Sequence, residues 1–341
     1  MRYLINPSVD PHYNMAFDQF CIERLPVDEP VFYLWRNRPS VIVGLSQNVY
    51  SEVNLAYLED KGIVLARRMT GGGAVYHDLQ NLNYSMVGRS GDFDRDCPGY
   101  MHLMTDALRQ LGVPAELTGR NDILVDGMKV SGYAKRVWHD RLMVHGTLMF
   151  DVDLETLNRV LSIPGSKMQA SGVASVRRKV TNLKEYLPQF KTVEELQTAL
   201  QALLSNQGKD EVYRLSEDEL RQIEDLKNER FATWQWNYGR SPVASCVRSR
   251  KFACGTVEIV LSINHGIIEQ LAFGGDFIGN LPAEDLARAL QGCRYDRESV
   301  GEVLTQQDVS RYFDRLRPEA LLDLLFEGDP DTGTGNDLAS E

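Results

Sequence analysis

The stretch from Leu65 to Asp78, LARRMTGGGAVYHD, constrains the fold more than any other part of this 341-residue chain. A β-prone run delivers Arg67 and Arg68 to three consecutive glycines, Gly71 to Gly73, and Ala74, Val75 and Tyr76 lead out as another strand. Glycine reaches φ > 0 and lets the backbone approach a ligand without a Cβ in the way, so several N–H groups can converge on one anion. The arginines can add charge-assisted hydrogen bonds to a phosphate or carboxylate. The same residues equally describe a glycine-rich hairpin turn with two solvated arginines, and neither Gly-Lys-Ser/Thr nor GxGxxG spacing is present.

The remaining pattern interleaves strands and helices. Asn14 is placed to cap a helix through Leu25, whose apolar face is Met15, Phe17, Phe20, Cys21 and Leu25. Val31 to Trp35 and Ser40 to Leu45 read as strands joined in a hairpin by the RNRP turn. A helix over Val53 to Lys61 stops at Gly62, strands follow over Ile63 to Met69 and Asn81 to Val87, and a helix over Pro98 to Leu111 closes at Gly112. Asp126-Gly127 forms a hairpin tip, after which come Lys129, Ser131, Gly132 and Ala134; Leu142 to Asp151 is a further strand with His145 in its middle. Thr192 to Ser205 and Ser216 to Phe231 are amphipathic helices opened by capping boxes. The aromatic stretch WQWNYGRSP is taken as a hinge between domains. Beyond it lie an antiparallel pair, Thr256 to Ile263 and Ile267 to Phe273, helices over Ala283 to Leu290 and Gln306 to Leu325, and a disordered acidic tail.

A net charge of -11 excludes general binding to nucleic acid or to an anionic membrane surface. No stretch of about 18 apolar residues is present to cross a bilayer. The cysteines, Cys21, Cys97, Cys246, Cys254 and Cys293, are odd in number and lack CxxC spacing, which suits reduced thiols in a cytoplasmic protein. Lys129, on a strand beside small residues, can point into a ligand cleft or simply into solvent. Asn121 and Asp122 can serve polar ligand groups or Mg²⁺, or form a plain turn. A lone strand histidine such as His145 is more often a satisfied core residue than a catalyst.

Taken together and in order, RRMTGGGAVYHD, GRNDILVDGMKVSGYA, VHGTLMFD and SGVASVRRKVTNL closely resemble the lipoate-protein ligase A family. YNMAFDQF and FYLWRNRPSVIVG fit as well, and ACGTVEIVLSINHGIIEQLAF and LQGCRYD match the family's small accessory domain. The fold implied is α+β, a large mixed-sheet catalytic domain of the lipoate/biotin ligase type with a second, smaller α+β domain. The implied boundaries are 1–245, 246–327 and a tail over 328–341.

The resemblance implies a two-step reaction. Lipoate and Mg-ATP give lipoyl-AMP and pyrophosphate, and a lysine of an acceptor domain then takes the lipoyl group. It makes Lys129 the central residue, a fixed cation between the lipoyl carbonyl and the adenylate phosphate. Arg68, Gly73, Ala74, Val75, Tyr76 and Asn121 are implied on the ATP side, and Asp122 for Mg²⁺. Arg68, Gly72, His77, Lys129 and His145 are implied on the lipoyl side, with a closing loop between Ser162 and Arg178. Implied partners are the lipoyl domains of 2-oxoacid dehydrogenase E2 subunits and the glycine-cleavage H protein; oligomeric state is not readable from the chain, and a monomer is the default expectation. The basic cluster Arg177 to Lys179 could meet such an acidic acceptor or be a solvated charge run.

Octanoyl or lipoyl transferases of this fold dispense with ATP and work through an acyl-cysteine. No cysteine lies between Cys97 and Cys246, and Cys97 falls in the DFDRDCPG stretch, read as a polar surface loop. A non-catalytic lipoate-binding paralogue would be expected to lose Lys129, Arg68 or a glycine of the triplet. The GRGRxxxxW-type loop of biotin ligases is not what stands here.

Overall fold

The computed structural model describes residues 1–26, 28–118, 122–161, 169–170, 179–205, 212–241 and 244–327. In chain order the strands are β1 (Arg2–Leu4), β2 (Val31–Trp35), β3 (Ser40–Val43), β4 (Val64–Arg67), β5 (Val75–His77), β6 (Asn81–Arg89), β7 (Glu116–Leu117) and β8 (Asp122–Val125). They continue as β9 (Met128–Trp138), β10 (Arg141–Met149), β11 (Gln169–Ala170), β12 (Val212–Tyr213), β13 (Ala244–Phe252), β14 (Gly255–Asn264) and β15 (Ile267–Gly275). Met1–Leu45, Gly62–Asn158 and Ser175–Asn237 form one compact unit over their described residues; Ser46–Lys61, Arg159–Ala174 and Tyr238–Glu341 form the other.

The first unit is built on an eight-stranded mixed sheet, β12-β1-β2-β6-β10-β9-β8-β7, and a three-stranded sheet, β4-β3-β5. Alternation of side chains sends successive residues of each strand to opposite faces of the large sheet. On one face Phe32, Leu34, Tyr84, Met86, Val144 and Leu148 pack against the helices Phe93–Gln110 and Val193–Leu204. On the other, Val31, Val87 and Met143 pack with the helix Pro11–Glu23 and with Ile42 and Ala66 of the smaller sheet. Both faces are covered, which is why β2 and β10 read as nearly continuous apolar runs.

In the second unit β11, β13, β14 and β15 form a four-stranded sheet. Val257, Ile259, Leu261 and Ile263 alternate inward from β14 and are fully buried, as are Leu286 and Leu290 of the helix Ala283–Leu290. The β14–β15 turn uses His265 (φ 50°) and Gly266 (φ 75°), the left-handed pair that a tight hairpin of this hand requires.

Several local expectations are corrected. The first helix starts at Pro11 and is capped by Asp10, which accepts from His12 N at 3.1 Å; Asn14 lies inside it, with its amide spent on the loop that follows β2. β2 and β3 do not form a hairpin, because β2 is flanked by β1 and β6 and β3 joins the other sheet. The glycine stretch is not a hairpin turn either. β4 runs parallel and β5 antiparallel to β3 on its two sides, so the glycines carry the chain across β3.

Cys97 is not in a surface loop. The helix begins at Phe93 and passes through Pro98, and Cys97, Met101, Met104 and Leu108 recur on its buried stripe. The helix expected over Val53 to Lys61 is Leu55–Asp60, capped by Asn54 and preceded by a short turn, Val49–Glu52. The C-terminal helix expected over Gln306 to Leu325 is broken into Val309–Tyr312 and Pro318–Glu327, with Arg315 at φ 61° and Pro318 opening the later piece. A strand before the antiparallel pair, β13, was not anticipated. Asn121, the tail over 328–341 and most of the expected closing loop, including Arg177 and Arg178, lie outside the described residues.

Candidate functional site

The register of the large sheet lays out the site in rows. Directly opposed residues of antiparallel strands share a face. Tyr33 opposes Ser85, Ser85 opposes His145 and His145 opposes Ala134, so one row crosses β2, β6, β10 and β9. The neighbouring row on one side is apolar, Val31, Val87 and Met143; the one on the other side holds Trp35, Asn83 and Thr147.

One carboxylate serves the polar row. Asp18, from the helix Pro11–Glu23, is 1% exposed. It accepts from Tyr33 Oη at 2.6 Å, from Ser85 Oγ at 3.0 Å and from His145 Nδ1 at 2.6 Å. Trp35 Nε1 in turn donates to Ser85 Oγ at 3.0 Å. His145 thus donates at Nδ1 to Asp18, and Thr70 Oγ1 sits 2.7 Å from its Nε2. Thr70 Oγ1 also accepts from Arg68 Nε at 3.0 Å, so a continuous hydrogen-bond chain joins Arg68 to Asp18 through His145.

The arginines of the RR pair do different jobs. Arg67 is fully buried and donates to the carbonyls of Gly44, Leu45, Trp236 and Asn237 at 2.9 to 3.3 Å. It ties β4 to the turn after β3 and to the helical turn Trp234–Asn237. Arg68 folds back into its own loop. Its Nη2 reaches Gly71 O at 2.6 Å and Gly73 O at 2.9 Å, and its Nη1 reaches Ile42 O at 3.0 Å. Burial and the Arg67 cation pull Arg68 down to about 10, which leaves it charged at neutral pH. With those carbonyls turned inward onto Arg68, Gly73, Ala74 and Val75 remain half-exposed while Tyr76 is buried. The close approach depends on glycine: a Cβ at Gly44 would stand 2.2 Å from Gly72 O, and Gly72 itself adopts φ 93°.

Lys129 lies just past the Asp126-Gly127 turn, at an irregularity where Leu124 opposes Lys129 while Ile123 opposes Ser131, leaving Val130 as the extra residue. Such bulges re-aim side chains. Its backbone is clamped by Lys179 O and Thr181 N at 2.9 and 3.0 Å. The ammonium pairs with Asp122 Oδ1 at 2.8 Å and lies across Gly132, whose absent Cβ would be 2.6 Å from Nζ. Gly132 and Ala134 alternate onto the same face, and His145 opposes Ala134. Lys129 Nζ therefore lies over Gly132, two residues or about 7 Å along β9 from Ala134, the residue that His145 opposes on β10. Arg136, further along β9, donates to Met69 O at 2.9 Å at the mouth of the glycine loop.

His77 ends β5, edge-on to Trp35 with ring centroids 6.2 Å apart. Burial first, then the Arg68 and His145 charges, push it down to about 3, so it is a neutral imidazole. Its Nε2 is buried and makes no hydrogen bond, and the amides of Asn81 and Asn83 on β6 each keep one unpartnered buried atom. Among the described residues no cluster of three His, Cys, Asp or Glu side chains could cage a metal ion.

Of the residues expected from sequence, the structure thus gathers Arg68, Gly72, Gly73, His77, His145, Lys129 and Asp122 on or beside one sheet face. Asp18, Thr70 and Asn37 were missed. Asp18 carried a signal: it falls three residues after Met15 and three before Cys21, on the apolar face, where a carboxylate needs a buried partner.

An α+β domain that gathers a lysine, two histidines and an arginine-braced glycine loop on or beside one face of its large sheet has the layout of an anion-binding domain. Residues 10–205 match the lipoyl protein ligase A/B catalytic domain, and residues 241–325 match the bacterial lipoate protein ligase C-terminus. The lipoate-protein ligase LplJ of Bacillus subtilis is 36% identical over 331 residues, covering 96% of this chain and all of that one. Among solved structures, the bipartite lipoate protein ligase of Thermoplasma acidophilum, studied with its E2 lipoyl domain, is similar with a TM-score of 0.61 at 26% identity. That match covers 70% of this chain and 96% of that one. A lipoate-protein ligase A bound with ATP matches with a TM-score of 0.60 at 28% identity, over 70% and 98% of the two chains. The chain belongs to the lipoate-protein ligase family.

Proposed function

We propose that this chain activates lipoate with Mg-ATP and passes the lipoyl group to a lysine of an acceptor protein. In the first step a lipoate carboxylate oxygen bonds to the α-phosphorus and the α–β anhydride bond breaks, releasing pyrophosphate. In the second an acceptor ε-amine attacks the acyl carbonyl, loses its proton, and AMP leaves with the acyl oxygen. The observation that carries this reading is the placement of Lys129 Nζ over Gly132, on the track that leads to His145 and the glycine loop.

Both steps bring anions together, and a fixed cation aimed at the developing charge lowers the barrier by about 10² to 10³ per donor. Lys129 is assigned that role, held in place by Asp122. Gly73, Ala74, Val75, Tyr76 and Asn121 are assigned to the nucleotide. Gly72, His77 and His145 are assigned to the lipoyl side, and Arg68 shapes the loop between the two. Mg²⁺ enters with ATP as part of the substrate, for which one carboxylate such as Asp122 suffices. Residues 1–245 are assigned to catalysis, and 246–327 to an accessory module.

The cysteines support ligation over thioester transfer. Cys21, Cys97, Cys246 and Cys254 are buried, and burial with the Asp296 charge pushes Cys293 up to about 11, away from the nucleophilic thiolate. The free thiols suit the cytoplasm, and among the described residues no helix is long and apolar enough to cross a membrane. E2 lipoyl domains and the glycine-cleavage H protein are the proposed acceptors, and a monomer the proposed state. The test is purified protein with lipoate, Mg-ATP and an apo-lipoyl domain. Gain of one lipoyl group together with AMP, only when ATP is present, supports the reading; modification from an acyl-carrier donor without ATP refutes it.

A further inference from the structure

The unpartnered Nε2 of His77 is at the end of a hydrogen-bond chain whose direction can be read group by group. Ser8 N donates to Asn6 Oδ1 at 3.1 Å, so the other end of that amide, Asn6 Nδ2, donates to Asn14 Oδ1 at 3.0 Å. Asn14 Nδ2 faces the carbonyls of Ser8 and Arg36 at 3.1 and 3.0 Å, which can only accept, and so it also donates to Asn37 Oδ1 at 2.8 Å. Asn37 Nδ2 must then donate to His77 Nδ1 at 3.1 Å. Main-chain groups fix the series, Ser8 N at Asn6 Oδ1 and the carbonyls of Ser8 and Arg36 at Asn14 Nδ2, and leave no freedom to flip any amide in it. Asn6, Asn14, Asn37 and His77 are all buried, none more than 7% exposed.

A neutral imidazole that accepts at Nδ1 carries its proton at Nε2. The fold therefore presents a buried N–H donor with nothing to bond, a costly arrangement unless a ligand supplies the acceptor. We infer that Asn37 is a positioning residue, holding His77 as the Nε2–H tautomer so that it donates to a hydrogen-bond acceptor carried by the lipoyl substrate. This rests on the assignment of His77 to the lipoyl side. Asn14 and Asn6 set the amide orientation of Asn37, which explains a buried asparagine on a helix that mainly buries apolar groups and two more in the stretches that follow β1 and β2.

The test uses the full-length protein labelled with ¹⁵N in histidine, with the His77 signals identified by difference against His77→Phe. In the unsubstituted protein the His77 Nδ1 signal should be that of a bare nitrogen and Nε2 that of an N–H, across neutral pH. Asn37→Asp keeps the size and the contact with Asn14 but replaces the donor by an acceptor, which should move the proton to Nδ1. Lipoate affinity measured by calorimetry should then fall about tenfold while ATP affinity holds. A bare Nε2 in the unsubstituted protein overturns the inference without need of any variant. So does a swapped tautomer in Asn37→Asp with unchanged lipoate affinity. If His77→Phe binds lipoate as the unsubstituted protein does, it is the lipoyl-side assignment that falls, a distinguishable failure.

Discussion

Gly132→Ala separates the position of Lys129 from the stability of the sheet. An added Cβ would stand 2.6 Å from Lys129 Nζ and 2.8 Å from Cε, with Asp122 Oδ1 the next nearest at 3.7 Å. Non-bonded carbon atoms rest at about 3.5–4.0 Å, so the end of the lysine must retreat by about 1 Å. No backbone atom is among the three nearest, and the flexible side chain yields before β9 does. A misplacement of about 1 Å at a reacting centre can cost about 10² in rate, or about 2.7 kcal/mol of transition-state stabilisation. Folding is expected to hold or improve by about 0.4–1 kcal/mol, because alanine narrows the unfolded ensemble. The assay is pyrophosphate release with saturating lipoate and Mg-ATP, beside thermal unfolding of the same preparation. A variant that adenylates lipoate within about threefold of the parent rate would refute the placement of Lys129 over Gly132 as the working geometry. A slow variant that is also destabilised would instead mean that β9 itself had moved.

Three further outcomes are expected. Lys129→Met should abolish lipoyl-AMP formation with little change in unfolding temperature, since the exposed end of the pair needs charge more than packing; near-parental adenylation by this variant would remove Lys129 from the mechanism. Asp18→Asn leaves a single acceptor oxygen where the carboxylate serves Tyr33, Ser85 and His145, so at least one of these buried donors loses its acceptor. A loss of about 1–3 kcal/mol in stability, with raised KM values for both substrates, should follow, and intact stability would remove Asp18 as the shared acceptor of the row. His77 has a folded pKa of about 3 against an ordinary 6.5, so the unfolded chain binds the extra proton between those values. Its contribution to stability is complete above pH 6.5 and is lost as pH falls toward 3, at up to about 1.4 kcal/mol per pH unit. His77→Gln should flatten that part of the stability profile, and an unchanged slope between the two proteins would show that His77 is not buried neutral.

The elements that were legible share a local cause. The Thr192 and Ser216 capping boxes, the Asp126-Gly127 and His265-Gly266 turns and the long strands β6, β9 and β10 are written in residues a few positions apart, where propensity and periodicity act. The sequence puts Cys97 in a loop because Pro98 reads as a helix start, although the stripe Met101, Met104 and Leu108 continues one turn back to Cys97. The false hairpin at RNRP failed for a different reason. Which sheet β3 joins depends on β1 and β6 having already taken both edges of β2, and neither is near in sequence.

The site divides along the same line. Arg68, the glycines, Lys129, Asp122, His77 and His145 were open to a reader of the chain, because small residues next to a cation or an imidazole are chemical signals in themselves. Their roles toward one another were not. That Arg67 braces the fold while Arg68 braces the loop, that Asp18 fixes the proton on His145 across 127 residues of chain, and that Asn37 fixes the one on His77, follow only from strand register. Hydrogen-bond direction is set by which groups meet in a buried row, and that is a property of pairing between distant segments, on which local sequence is silent.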